Sequence, residues 1–135
     1  MDSRISSQLI KVGELKLHYL EMGEGAPILL LHGWPTSAYL WRNIMPALAE
    51  QNRVIALDLP GFGKSDKRLA DRFTFGYYER LIDQFLQQLK IDKVGLAVHD
   101  LGGPLGLYWA IKHPEKVTKL SLLNTLVYPE FSWAV

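Results

Sequence analysis

One segment, Val94-Gly-Leu-Ala-Val-His-Asp-Leu-Gly-Gly-Pro-Leu-Gly106, constrains this chain more than any other. Val94 to Val98 is a short apolar run with the length and composition of a buried strand. It ends in His99-Asp100-Leu101-Gly102-Gly103, and residues 104–112 read as a helix that stops before Pro114. A lone acid between a buried strand and a Gly-Gly turn is poorly placed for stability and well placed for chemistry. A sharp strand-to-helix turn projects one side chain at the top of a sheet, with a helix N-terminus just behind it. Here the projected residue is Asp100. An Asp at this place can also act as a helix N-cap, and the paired glycines behind it favour the exposed turn instead.

The rest of the pattern says what sheet this is. Residues 8–12 and 15–21 alternate around Gly13-Glu14, which predicts a β-hairpin, and Glu24-Gly25 is a turn. Residues 27–32 and 53–58 are continuous apolar runs, expected to be strands buried on both faces. Residues 38–50 and 75–90 carry apolar side chains at helical spacing, the first with Pro46 as a candidate kink. Residues 117–123 are another apolar strand. After the hairpin, strands alternate with helices, which predicts a mostly parallel sheet covered on both faces. In such sheets function sits at the carboxyl ends of the strands. His32-Gly33-Trp34, Asp58 to Ser65, Asp100-Leu101 and Asn124 all fall at such ends, so four loops are expected on one rim.

Composition removes several function classes. At 135 residues the chain is one domain at most. A net charge of +1 argues against a nucleic-acid footprint or a polybasic membrane patch. No run is long enough to span a bilayer, and Met1-Asp-Ser-Arg-Ile-Ser-Ser lacks the apolar stretch of a secretory signal. With no Cys there are no disulfides or thiolate metal sites, which is compatible with a cytoplasmic protein. Gly63-Lys64-Ser65 invites a nucleotide reading, but Asp58 stands where a phosphate loop needs its first Gly. Gly61-Phe-Gly63 likewise has Asp66 where a dinucleotide fingerprint needs its third Gly.

Three stretches together resemble one family. His32-Gly-Trp-Pro-Thr-Ser-Ala-Tyr-Leu-Trp-Arg42 looks like the oxyanion loop and first helix of α/β-hydrolases of the haloalkane dehalogenase and epoxide hydrolase branch. Asp58-Leu-Pro-Gly-Phe-Gly-Lys-Ser-Asp66 matches that family's glycine-rich turn, and His99-Asp-Leu-Gly-Gly-Pro104 its nucleophile elbow in the form where Asp replaces Ser. The resemblance implies an α/β-hydrolase fold of which residues 1–135 are the N-terminal part. The cap, the catalytic acid and the catalytic His are expected beyond Val135, so the chain as given is expected to be truncated and inactive.

The chemistry that the resemblance implies is consistent with the residues. Asp is ionised at neutral pH without help, its reference pKa being about 3.9. Attack by Asp100 on a saturated carbon displaces halide or opens an epoxide and leaves an alkyl ester, which a His-activated water then hydrolyses. The backbone N–H groups of Trp34 and Leu101 are the expected oxyanion donors. Trp34, His32 and Pro35 are the expected pocket residues for a small-molecule substrate, with no metal and no organic cofactor. Two positions depart from the family pattern. Dehalogenases usually carry a halide-binding Trp where this chain has Leu101, and the aromatic Trp34 after His-Gly is closer to epoxide hydrolases. The substrate therefore stays open between haloalkane and epoxide.

Other residues have plainer readings. His32 and His99 are weighed as bases, but each is expected to be structural, with the His99 side chain pointing away from that of Asp100. Asp58 and Asp66 are expected to fix turns. The alternative for the whole chain is a non-catalytic fragment or a small-molecule-binding module that keeps the fold. The strand at 117–123 is expected to leave an apolar sheet edge through which the chain self-associates.

Overall fold

The computed structural model describes residues 1–68 and 70–126. β1 (Ser6–Val12) and β2 (Leu15–Met22) form the hairpin. β3 (Ala26–Leu31) follows, then a 3-10 turn (Ala38–Trp41), the short helix α1 (Met45–Leu48) and β4 (Asn52–Leu57). α2 (Phe75–Gln88), β5 (Val94–His99), α3 (Gly102–Lys112), a 3-10 turn (Pro114–Lys116) and β6 (Val117–Leu123) complete the described chain. The strands form one six-stranded sheet in the order β1-β2-β4-β3-β5-β6. The β1–β2 and β2–β4 pairs are antiparallel, and the β4-β3-β5-β6 part is parallel.

The inner parallel strands β3, β4 and β5 are buried on both faces because their side chains alternate between two cores. Leu29 and Leu31 of β3 join Ile55, Leu57, Leu96, Val98 and the α2–α3 residues Phe85 and Trp109 in one cluster. Leu30 of the same strand joins Leu20, Val54, Ala56, Trp41 and Met45 on the opposite face. The helix α2 is started by Thr74, whose hydroxyl accepts from the Tyr77 N–H at 3.1 Å. Its apolar stripe Tyr78, Leu81, Ile82, Phe85 and Leu86 is buried, as the helical spacing predicts.

Two elements differ from the sequence reading. Residues 38–50 are not one helix but a 3-10 turn followed by a four-residue helix. Pro46 is the cause. It has no N–H to donate one turn back, and its ring clashes with the preceding turn, so it is accepted only at the helix start, where it is found. The helix after Asp100 begins at Gly102, two residues earlier than expected. β6 has the expected bounds, and its exposed leucines, Leu120 at 42 % among them, occupy the sheet edge.

Candidate active site

Asp100 sits between β5 and α3 with φ +52, a left-handed conformation that L side chains adopt at a cost. Its side chain is exposed. The turn that holds it is built by close approach of backbones. A Cβ on Gly102 would lie 2.6 Å from the carbonyl oxygens of Leu31 and His32, so α3 can start under the end of β3 only with Gly there. A Cβ on Gly33 would lie 2.3 Å from the Asp100 Cβ and 2.6 Å from its Oδ2. That gap lets the Trp34 N–H reach the carboxylate and donate to Oδ2 at 2.9 Å. The carboxylate therefore does not cap α3, which starts without a side-chain cap.

Neighbouring loops lock this arrangement. Thr125 Oγ1 donates to the Asp100 carbonyl at 2.6 Å, and the Asp100 N–H donates to Leu123 O at 3.4 Å. The Leu59 N–H donates to His32 Nε2 at 3.0 Å, joining the loop after β4 to the loop after β3. Four strand-end loops thus meet on one rim, with Asn124 exposed between the two residues that contact Asp100.

The structure corrects the expected pocket. His32 is wholly buried, and both ring nitrogens are committed: Nδ1 donates to Gly33 O at 2.8 Å while Nε2 accepts from Leu59. Burial holds its pKa below the ordinary imidazole value, so the ring is a neutral brace between loops and neither wall nor base. Trp34 is 67 % exposed and Pro35 is exposed beside it. None of Trp34, His32 and Pro35 lines the apolar pocket beside the elbow. That cavity, about 560 Å³, is walled by Pro60, Gly61, Phe62, Phe73, Thr74, Phe75, Tyr78, Leu101 and Leu105. It adjoins the elbow through Leu101. Its walls join the glycine-rich turn after β4, the start of α2 and the start of α3, segments distant in sequence whose convergence no spacing rule predicts. The aromatic cluster Phe73-Thr-Phe75 was the available signal.

The remaining strand-end groups are structural. Asp58 is 2 % exposed, and its carboxylate accepts from Ala38 N–H, Lys64 N–H and His18 Nδ1. The N–H that a phosphate would need in the Gly63-Lys64-Ser65 turn is therefore already taken. Asp66 Oδ2 accepts the Lys16 N–H at 2.8 Å and pins the same turn to β2. His99 faces Trp41, edge to face at 6.5 Å, away from the Asp100 carboxylate. His113, the fourth histidine, bonds Glu79 at 2.7 Å at the far end of α3. Among the described residues no cluster of His, Asp and Glu is placed to hold a metal ion, and no helix is long and apolar enough to cross a membrane.

Comparison with known proteins agrees with this geometry. A profile of the alpha/beta hydrolase fold matches residues 26–135. A haloalkane dehalogenase of Sphingobium indicum is 40 % identical over 131 residues, covering 94 % of this chain and 44 % of that protein. A soluble epoxide hydrolase of a Corynebacterium species is 39 % identical over 128 residues, covering 93 % and 44 %. The solved epoxide hydrolase CorEH superimposes with a TM-score of 0.88 at 36 % identity, over 97 % of this chain and 46 % of that one. The chain thus spans less than half the length of the relatives it matches. With its sheet order and its profile match in agreement, the chain belongs to the α/β-hydrolase fold family, and over its own length it is similar to haloalkane dehalogenases and epoxide hydrolases.

Proposed function

We propose that Asp100 is the nucleophile of a hydrolase that forms an alkyl ester from a small haloalkane or epoxide. The observation that carries this is the exposed carboxylate at φ +52 with the Trp34 N–H on one of its oxygens. That bond divides the work between the two oxygens. Oδ2 is held by Trp34, so Oδ1 has free lone pairs to attack carbon. Once the ester has formed, Oδ2 is its carbonyl oxygen and already faces a donor. Attack by water would place the negative charge there, where one aimed donor is typically worth about 2.7–4 kcal/mol of barrier. The Leu101 N–H at the start of α3 is the proposed second donor. The substrate's apolar part fits the cavity beside Leu101.

Ester hydrolysis needs a base, and none of the four histidines is placed to serve Asp100. His18 lies on β2, across β4 and β3 from β5, and is engaged with Ser7 and Asp58; His113 bonds Glu79 at the far end of α3, His32 is a committed neutral brace, and His99 faces Trp41. The 135-residue chain should therefore be alkylated once and should not turn over. Incubation with 1,2-dibromoethane or styrene oxide followed by intact-mass measurement tests this. One covalent adduct, absent in Asp100→Ala, is the expected result. No adduct, or an adduct that survives Asp100→Ala, would refute the assignment.

The apolar cavity alone favours a second reading, a module that binds an apolar molecule without reacting. On that reading an apolar probe binds equally to the parent chain and to Asp100→Ala, and neither forms an adduct.

A further inference from the structure

A second nucleophile lies on the opposite edge of the sheet. Ser7 is on β1, the outermost strand, and its side chain is exposed. In the β1–β2 register Ser7 faces Leu20 and Leu9 faces His18, which makes Ser7 and His18 diagonal neighbours on one face. Ser7 Oγ lies 2.7 Å from His18 Nε2, and His18 Nδ1 lies 2.7 Å from Asp58 Oδ2. His18 is 5 % exposed and Asp58 2 %.

The proton positions follow from the partners. Asp58 also accepts from Ala38 N–H and Lys64 N–H, so its oxygens act as acceptors and His18 Nδ1 must donate to it. In the neutral ring Nε2 is then the acceptor. It takes the Ser7 hydroxyl proton in its hydrogen bond. A serine bonded to the basic nitrogen of an imidazole that a buried carboxylate orients is the arrangement of an activated serine nucleophile, recognised by geometry and not by position in the chain. Three strands separate β1 from β5, so this serine is on the order of 19 Å from Asp100 at about 4.8 Å per strand.

We propose that Ser7, with His18 as its base and Asp58 orienting the ring, is a second, acyl-accepting site that reacts with activated esters and fluorophosphonates. Ser7 Oγ bonds to the carbonyl carbon as the bond to the phenol oxygen breaks. The phenolate leaves, the serine proton passes to His18 Nε2, and the acyl group stays on Ser7. With a fluorophosphonate, the P–O bond to Ser7 forms as the P–F bond breaks and fluoride leaves. Ser7 lies on an open strand and not in a pocket, so the reaction selects for leaving groups that depart as stable anions and not for substrate shape.

The test uses 4-nitrophenyl acetate and a fluorophosphonate probe on the folded chain, read by intact mass and peptide mapping. One group on Ser7 is expected, lost in Ser7→Ala and retained in Asp100→Ala, so the outcome is independent of the role proposed for Asp100. His18→Gln should slow labelling by roughly 10²-fold, the lower range of general-base assistance. If that variant does not fold, a thiol replaces it as the reporter. The chain has no Cys, so Ser7→Cys introduces the sole thiol. It should react with iodoacetamide at least about tenfold faster than the exposed Ser3→Cys control, since a neighbouring imidazole promotes the thiolate. Equal thiol rates, or probe groups on other residues with none on Ser7, would overturn the proposal.

Discussion

Gly33→Ala offers a direct test of how the Asp100 turn is held. The three atoms nearest to a Cβ at Gly33 all belong to the Asp100 side chain: Cβ at 2.3 Å, Oδ2 at 2.6 Å and Cγ at 2.8 Å. Real Cβ contacts do not come that close, so alanine must displace the carboxylate, break its bond to the Trp34 N–H, or move the loop. Overpacking of this kind costs about 1–3 kcal/mol. For a chain of this length that is roughly 3–12 °C in the melting temperature, scaling between the values for smaller and larger domains. Because the three nearest atoms all belong to one side chain, most of the cost should be relieved when that side chain is removed. A thermal or urea unfolding cycle over Gly33→Ala, Asp100→Gly and the double variant should therefore be strongly non-additive. Gly33→Ala should be nearly neutral in the Asp100→Gly background. Additivity within about 0.5 kcal/mol would mean that Gly33 is required for some other reason, and the close approach of the two loops would be refuted.

Three further outcomes follow from the structure. Lys90, after α2, has φ +58 and closes the helix with bonds from its N–H to Gln87 O and from Ile91 N–H to Leu86 O. Lys90→Gly should stabilise by roughly 0.5–1 kcal/mol in urea titration, the left-handed penalty of about 1–2 kcal/mol less about 0.4–1 for a more flexible unfolded chain; a loss of stability would contradict it. His32 has its pKa lowered by burial from 6.5, so below that pH the unfolded chain takes up a proton that the folded one resists. Its contribution is complete above pH 6.5 and declines as pH falls toward the folded value. The urea midpoint should drop between pH 7.5 and 5.5, as about one proton's linkage allows, and this part of the slope should disappear in His32→Gln. Self-association through β6 is proposed from its exposed edge leucines; sedimentation should show oligomers that Leu120→Lys disperses, since an edge charge opposes strand pairing. A monomeric parent chain would remove that proposal.

Much of the architecture was legible because it depends on local pattern. The apolar runs ending near residues 32, 58 and 98 are strands buried on both faces, and the run at 117–123 is a strand at the sheet edge whose leucines are exposed. The elbow was legible because its glycines and its acid are adjacent in sequence. What stayed hidden depends on contacts between distant segments. Ser7 and His18 are eleven residues apart and His18 and Asp58 forty, and no spacing rule connects them. His32 resembled a pocket residue from its place after a strand; only the approach of the Leu59 N–H shows that its second nitrogen is occupied.

Asp58 and Asp100 show how the same residue in similar places is given opposite tasks. Each follows an apolar strand and precedes a glycine-containing turn, and only the Gly102-Gly103 pair behind Asp100 distinguishes the two in sequence. Their surroundings do. Asp58 is buried, and three donors divide its two oxygens, with Ala38 N–H on Oδ1 and Lys64 N–H and His18 Nδ1 on Oδ2. Its lone pairs are spent on holding three loops, and attack on a substrate would leave those donors buried and unpaired, at about 1–3 kcal/mol each. Asp100 is exposed, and among the described residues the one donor on its carboxylate, the Trp34 backbone N–H, holds Oδ2 and leaves Oδ1 unoccupied. A carboxylate with one oxygen fixed and one free is oriented without being neutralised, which is what attack on carbon requires. The left-handed φ of +52 at Asp100 is in keeping with the role proposed for it, since strained backbone of this kind clusters at functional sites. The donor count on each oxygen, more than the identity of the acid, separates the acid proposed to react from the acid that holds the loops.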